Sequence, residues 1–231
     1  MDIKVLASGS GGNCYHITDG VTPLLLEAGI PIKEIRRGLG FQVSGLAGCL
    51  ITHEHQDHAK AAVDLMRAGV DVYASAGTME SVGLAGHRAH PVTARQQFHV
   101  GTWTVLPFET QHDAAEPLGF LLSAEGEKLL YATDTFYIRY RFAGLTHIMV
   151  ECNYSPDILA ANVDAGTVPR ELKKRLIRSH FSLENVKNFL KANDLSAVRE
   201  IWLLHLSDGN SDAERFKKEI QELTGKMVFV A

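Results

Sequence analysis

The stretch Cys49-Leu50-Ile51-Thr52-His53-Glu54-His55-Gln56-Asp57-His58 decides how the chain is read. Its first part is a short apolar run behind Gly48, the pattern of a buried strand. Its second part places three histidines and an aspartate within six residues. In extended chain, residues two apart face the same way, so His53 and His55 aim at one point beyond the strand end. If the chain then turns into a helix, Asp57 and His58 face a second point nearby. Three imidazoles and a carboxylate at this spacing form a ligand set for Zn²⁺ or a similar borderline metal. A polar loop with Asp57 as a simple cap is the plainer alternative, and it leaves the density of ligand types unexplained.

Three further strands end in ligand-type residues. His112 lies in Thr110-Gln111-His112-Asp113, after a strand that reaches Pro107. Asp134 follows the strand Lys128–Ala132, and His205 follows Ile201-Trp202-Leu203-Leu204. Strand ends are rigid places from which to build a site. Around them, strands are expected at Ile3–Leu6, Tyr15–Thr18, Pro23–Glu27, Asp71–Ala74, Gln97–Pro107, Leu118–Ala124, His147–Glu151 and Met227–Val230. The tight Glu125-Gly126-Glu127 connection fits a hairpin between Leu118–Ala124 and Lys128–Ala132. Helices are expected from Pro31, over Ala59–Ala68 and from Ala76 to Leu84. Two more, Arg170–Arg178 and Leu183–Lys191, should lie between the strands at His147 and Glu200. A last one runs from Ser211 to Leu223, with Ser211 opening a capping box. Mixed strands and helices favour a layered α/β fold, and no linker divides the chain, so residues 1–231 are expected to form one domain.

Composition sets the limits. The 231 residues are 45 % hydrophobic and 22 % charged, as in a soluble globular domain. The formal charge of −4 excludes a protein that coats nucleic acid by charge. Three widely spaced cysteines with no CxxC pair speak against a disulfide framework. No apolar run is long enough for a membrane span, and Met1–Leu6 has no signal-peptide pattern. A cytoplasmic protein without membrane partners is the expectation. The eleven histidines are the unusual count.

The HxHxDH string of His53, His55, Asp57 and His58, followed by His112, Asp134 and His205 at strand ends, resembles the metallo-β-lactamase superfamily over essentially the whole chain. Leu6–Asn13, His112–Pro117, Ala132–Thr135 and His205–Ser207 are similar to its bacterial YycJ (WalJ) group, metal-dependent 5′–3′ exonucleases. The resemblance implies an α/β, four-layer αβ/βα metallo-β-lactamase-like sandwich. It also implies two divalent metal ions, Zn²⁺ or Mn²⁺. By the family pattern one ion takes His53, His55 and His112, the other takes Asp57, His58 and His205, and Asp134 bridges them. A hydroxide between the metals would attack a phosphodiester, and in a secondary role Asp57 would accept the proton of the bridging water from which that hydroxide forms. Departures narrow the group. Zinc β-lactamases carry Cys where Asp134 stands, flavodiiron proteins carry Glu where His55 stands, and the Asp134–His205 span is too short for a β-CASP insertion. Glu27 stands where many relatives have Asp and is expected to orient a metal ligand.

The implied substrate is nucleic acid, most directly DNA. His180, in Arg178-Ser179-His180-Phe181-Ser182, matches a His-x-Ser string of the group and is a candidate for catalysis, holding a phosphate or protonating a leaving oxygen. Ser182 is a plausible helix cap and a further substrate contact. Arg170, Lys174 and Arg178 fall on one helix face, and Lys174 and Arg178 are candidate phosphate contacts; a solvated face is the plainer explanation. In the family the glycine-rich turn Ser8–Asn13 lies beside the metal centre, which makes Ser10 and Asn13 candidate substrate contacts; a plain hairpin turn is the alternative. Trp103 and Trp202 read as core. The alternative activity is a thioester or lactone hydrolase on the same metal scaffold. A metal-binding protein without activity is expected to lack at least one of the seven ligands, and none is missing.

Overall fold

A computed structural model describes the whole chain, Met1–Ala231. The chain divides into two compact units, Met1–Glu109 with Ala114–Glu127, and Thr110–Asp113 with Lys128–Ala231.

In the first unit six strands lie side by side in chain order: β1 (Asp2–Ala7), β2 (Cys14–Thr18), β3 (Pro23–Leu26), β4 (Gly48–Leu50), β5 (Val72–Ala74) and β6 (Ala89–Pro91). β1 to β3 pair antiparallel, and β3 to β6 pair parallel. Leu24, Leu25 and Leu26 are all fully buried, which suits a parallel strand written as a continuous apolar run. Helices α1 (Ile32–Gly38), α2 (Gln56–Ala59), α3 (Ala62–Arg67) and α4 (Ala76–Val82) belong to this unit. Leu25, Ile35, Cys49, Ile51, Leu65 and Val72 are part of one apolar cluster.

Two expectations change here. The helix expected over Ala59–Ala68 is broken between α2 and α3, because the Ala61 N–H donates to Ala28 O instead of continuing the helical ladder. The strand expected over Gln97–Pro107 is a hairpin, β7 (Phe98–Val100) and β8 (Trp103–Glu109), paired antiparallel. Gly101, at φ 57°, supplies the left-handed residue the turn needs. β9 (Leu118–Ala124) pairs with β8, and the positive φ of Glu125 and Gly126 makes the tight turn predicted after it. Trp103 is fully buried, with its indole N–H donating to Thr22 O at 2.9 Å.

The second unit is built on parallel strands in the order β10 (Glu127–Ala132), β11 (His147–Glu151), β12 (Glu200–Leu204) and β13 (Met227–Val230). Three helices, α5 (Pro156–Asp164), α6 (Arg170–Ser179) and α7 (Leu183–Ala192), connect β11 to β12, where the sequence reading expects two. α5 lacks a broad apolar face, and Leu159 is its buried side chain. α8 (Ala213–Thr224) connects β12 to β13. Its cap is Asp212, which accepts from the Arg215 N–H at 3.0 Å. Ser211, the expected cap, instead donates its hydroxyl to Ser207 O. Trp202 is half-buried and stacks on Phe229 at 4.4 Å. Because β10, β11 and β12 run parallel, their C-terminal ends share one edge, the edge where α/β sheets carry their sites.

Candidate metal centre

In the first unit the chain leaves β4 and turns into α2 at His55, whose carbonyl accepts the N–H of His58 and Ala59 at 2.9 Å each. His53 Nε2 and His55 Nδ1 stand 3.1 Å apart. Two imidazole nitrogens on one tetrahedral ion, each at about 2.0–2.1 Å, are roughly 3.3 Å apart, so this pair has the edge length of a shared cation. His53 Nδ1 meets Thr52 Oγ1 at 2.9 Å, which satisfies the rear nitrogen of the ring. One turn on, His58 Nε2 lies 3.3 Å from Asp57 Oδ2, a second donor pair at the same spacing.

Behind this pair stand two side chains that do not face outward. Glu27 is fully buried at φ 66°, with Oε1 3.6 Å from His58 Nδ1 and Oε2 accepting the Thr52 N–H. Asn13 is also fully buried. Its amide bonds Gly9 and the Asp57 carbonyl and reaches His58 Nε2 at 3.2 Å. It thus ties the glycine-rich turn to the motif, whereas Ser10 is exposed on that turn. Gly29 is obligatory here, because a Cβ at this position would stand 1.7 Å from the Asp57 carbonyl oxygen.

The second unit carries His112, Asp134 and His205. His112 Nδ1–H donates to Ser179 O at 2.9 Å, which fixes the tautomer and leaves Nε2 facing Asp134 Oδ2 at 3.5 Å. Burial, against the opposing charge of Asp134, holds the imidazole below its ordinary pKa and therefore neutral, as a ligand must be. His205 Nε2 is 3.9 Å from Asp134 Oδ1. The amide of Asn153 holds His205 through its carbonyl at 2.9 Å and Nδ1 at 3.1 Å. Asp134 and His205 both have left-handed backbone, φ 44° and 52°, as Glu27 does. Such conformations are uncommon outside glycine and gather at sites.

One residue that sequence reasoning left unassigned organises this edge. Glu151, the last residue of β11, is fully buried. Its Oε1 is 2.6 Å from His180 Nδ1 and 3.5 Å from His205 Nδ1, and its Oε2 accepts the N–H groups of Thr135 and Phe181 at 3.1 and 3.0 Å. Donor atoms of Asp134, Glu151, His180 and His205 all lie within 4.8 Å of one another. Burial alone would raise the Glu151 carboxyl, but the neighbouring His180 holds it below its usual range. His180 moves the other way: burial opposes the shift, and the charge and hydrogen bond of Glu151 raise it. The pair favours carboxylate facing imidazolium. The available signal was an acidic residue ending a buried apolar strand, the same pattern that marks Asp134.

The remaining candidates sit on helices. Ser182 is buried and caps α7, accepting the Asn185 N–H. Lys174 and Arg178 are exposed on α6, Lys174 paired with Glu171 at 2.9 Å, while Arg175 binds Asp113 at 3.0 Å. Arg170, Lys173 and Arg178 have no ion-pair partner in the protein.

The donors fit divalent ions: the imidazoles of His53, His112 and His205 with rear nitrogens tied to the protein, carboxylates at ion-edge spacing, and supporting side chains behind them. Residues 31–205 match the family described as the Beta-lactamase superfamily domain. The chain belongs to this superfamily. Exodeoxyribonuclease YycJ of Bacillus anthracis is 27 % identical to it over 241 residues, spanning 96 % of this chain and 89 % of that protein. Among solved structures, the metallo-β-lactamase fold protein YhfI from Bacillus subtilis aligns with a TM-score of 0.73 at 15 % identity, covering 99 % of this chain and 95 % of its own. Zn²⁺-bound PqqB from Methylobacterium extorquens aligns at 0.72 and 16 % identity, covering 100 % and 97 %. The superfamily's α/β sandwich of two mixed sheets with helices, expected from the motif, is therefore the fold of this chain. Membership together with the His and Asp donor groups makes it a metal-dependent hydrolase. No helix is long and apolar enough to cross a membrane.

Proposed function

We propose that the chain is a dinuclear phosphodiesterase that shortens DNA from an end, as an exonuclease of the cytoplasm, with residues 1–231 acting as one domain. One ion would be held by His53, His55 and His112, the other by Asp57, His58 and His205, with Asp134 shared. When bound, two divalent ions lower the pKa of water and offset charge on the phosphoryl oxygens. The name of the Bacillus anthracis relative supports DNA as the substrate.

The observation that carries phosphodiester over thioester chemistry is the Glu151–His180 contact at 2.6 Å beside Asp134 and His205. A thiolate, with a parent thiol pKa of about 8.5, leaves without help, whereas a sugar alkoxide needs a proton. Glu151 occupies Nδ1 of His180, so Nε2 is the nitrogen left to hold a proton for the leaving oxygen. The side chain is 13 % exposed, enough for a substrate to reach it. Asp57, 26 % exposed, would take the proton of the attacking water, with Asn13 and Glu27 orienting His58. Arg178, Lys174 and Ser10 are open to a phosphate backbone, and Ser182 holds the start of α7 behind His180.

The test is direct. Protein loaded with Mn²⁺ or Zn²⁺ is offered end-labelled DNA and RNA, bis-p-nitrophenyl phosphate and a set of thioesters. Stepwise release of nucleotides from DNA is expected. Thioester hydrolysis without phosphodiester cleavage overturns the proposal in favour of the small-molecule hydrolase.

A further inference from the structure

Beside the loop that follows Asp134, the second unit has a pocket of about 290 Å³ that belongs to neither donor set. Its floor is Phe181 and Phe189, both buried, with ring centroids 6.3 Å apart. Tyr137, 57 % exposed, lines one side. Arg139, Arg141 and Asn188 are among the other lining residues; all three are exposed, and their side chains bond nothing else in the protein.

The pocket is fastened to the metal edge. Glu151 Oε2, which accepts the Phe181 N–H, also accepts that of Thr135, and Thr135 Oγ1 donates to Tyr137 O at 2.9 Å. Asn185 on α7 donates to Phe136 O at 3.1 Å. One carboxylate thus sets the position of His180 and of both the floor and one side of the pocket.

We propose that this pocket binds one unpaired nucleotide of a single-stranded substrate, an inference that rests on the phosphodiesterase reading. The cavity lies near the lower limit of small-ligand sites, about 300 Å³, so it admits a base and no folded segment. Aromatic rings offer stacking to any base. Two unpaired arginines on a chain of net charge −4 call for an anion, and the guanidinium fork suits phosphate. The Asn188 amide supplies a donor and an acceptor for a base edge.

The experiment uses metal-free full-length protein and a fluorescein-labelled single-stranded oligodeoxynucleotide, read by anisotropy. Tyr137→Ala should weaken binding by about 5- to 150-fold, the range for losing one base stack, and Tyr137→Phe should restore it. Arg139→Ala with Arg141→Ala should flatten the dependence of log affinity on log salt by about 0.7 per arginine. Wild-type affinity and salt slope in these variants overturn the subsite, as does a wild-type protein that binds coenzyme A in place of the strand. Hydrolysis of bis-p-nitrophenyl phosphate by the metal-loaded protein, a substrate too small to need the pocket, reports on the phosphodiesterase reading separately.

Discussion

Replacing Glu151 by Gln keeps the shape of the side chain and removes its charge. In the native protein the carboxylate receives three donors: His180 Nδ1 at 2.6 Å, Phe181 N–H at 3.0 Å and Thr135 N–H at 3.1 Å. A glutamine has one acceptor oxygen. If that oxygen stays with the two backbone groups, the amide NH₂ faces His180 and one charge-assisted hydrogen bond is lost, costing about 1.5–3 kcal/mol. The flipped amide would strand two buried N–H groups at about 1–3 kcal/mol each, so the first arrangement wins. The urea midpoint of the metal-free protein should fall accordingly, with an unchanged slope. Glu151 also lies 3.5 Å from His205 Nδ1, so metal affinity in a chelator competition should drop about 10- to 100-fold. At saturating metal, hydrolysis of DNA should suffer far more than that of p-nitrophenyl esters, whose leaving group needs no proton. A Glu151→Gln protein with native stability and metal affinity would refute the buried network. Equal losses on both substrates would refute the proton-holding role of His180.

Other expectations follow from the same geometry. His53→Ala should lose bound metal, read by elemental analysis, together with hydrolysis; retention of both would sink the ligand assignment. Reversing charge in Lys174→Glu with Arg178→Glu should weaken DNA binding steeply at low salt and reduce its salt dependence, and an unchanged slope would remove α6 from the interface. The three cysteines are fully buried, and burial pushes each thiol above its ordinary pKa. A thiol reagent should therefore react with none of them in the native protein and with all three after unfolding; a reactive native thiol contradicts this. Asp157 accepts hydrogen bonds from Arg215 and Ser155, which hold its carboxyl below the usual range. Its contribution to stability is present above the unfolded pKa of about 3.9 and lost as pH falls towards the folded value. Asp157→Asn should be less sensitive to acid than the native protein, and identical acid profiles would count against the pair.

What could be read from the sequence follows the range of the interactions involved. The motif of His53, His55, Asp57 and His58 is local. Its two-residue period, followed by a helical turn, is written in consecutive residues, and α2 begins where that reading requires. The strand-end positions of Asp134 and His205 were legible for the same reason, since each comes within two residues of the end of an apolar run. Their left-handed backbone was not, because neither residue is glycine and the conformation is imposed by the surrounding fold. The turn at Gly101 and the break between α2 and α3 escaped for a related reason: a continuous apolar pattern says nothing about where a distant carbonyl, such as that of Ala28, will capture an N–H.

Glu151 marks the boundary between the two kinds of information. Nothing near it in sequence separates it from an ordinary strand-terminal acid, and its main partner, His180, is 29 residues away. Its role comes from strand order. β11 lies between β10 and β12, with Val150 opposite Ala132 and Glu151 opposite Leu204. The two outer strands deliver Asp134 and His205 just past their ends, so the last side chain of the middle strand comes up between two candidate ligands. A carboxylate in that place is buried and faces imidazole on either side, 2.6 Å from His180 and 3.5 Å from His205. Once the parallel order is known, the end of the middle strand is the place to seek the group that orients the ligands. Before it is known, Glu151 is one of the chain's 27 acidic residues.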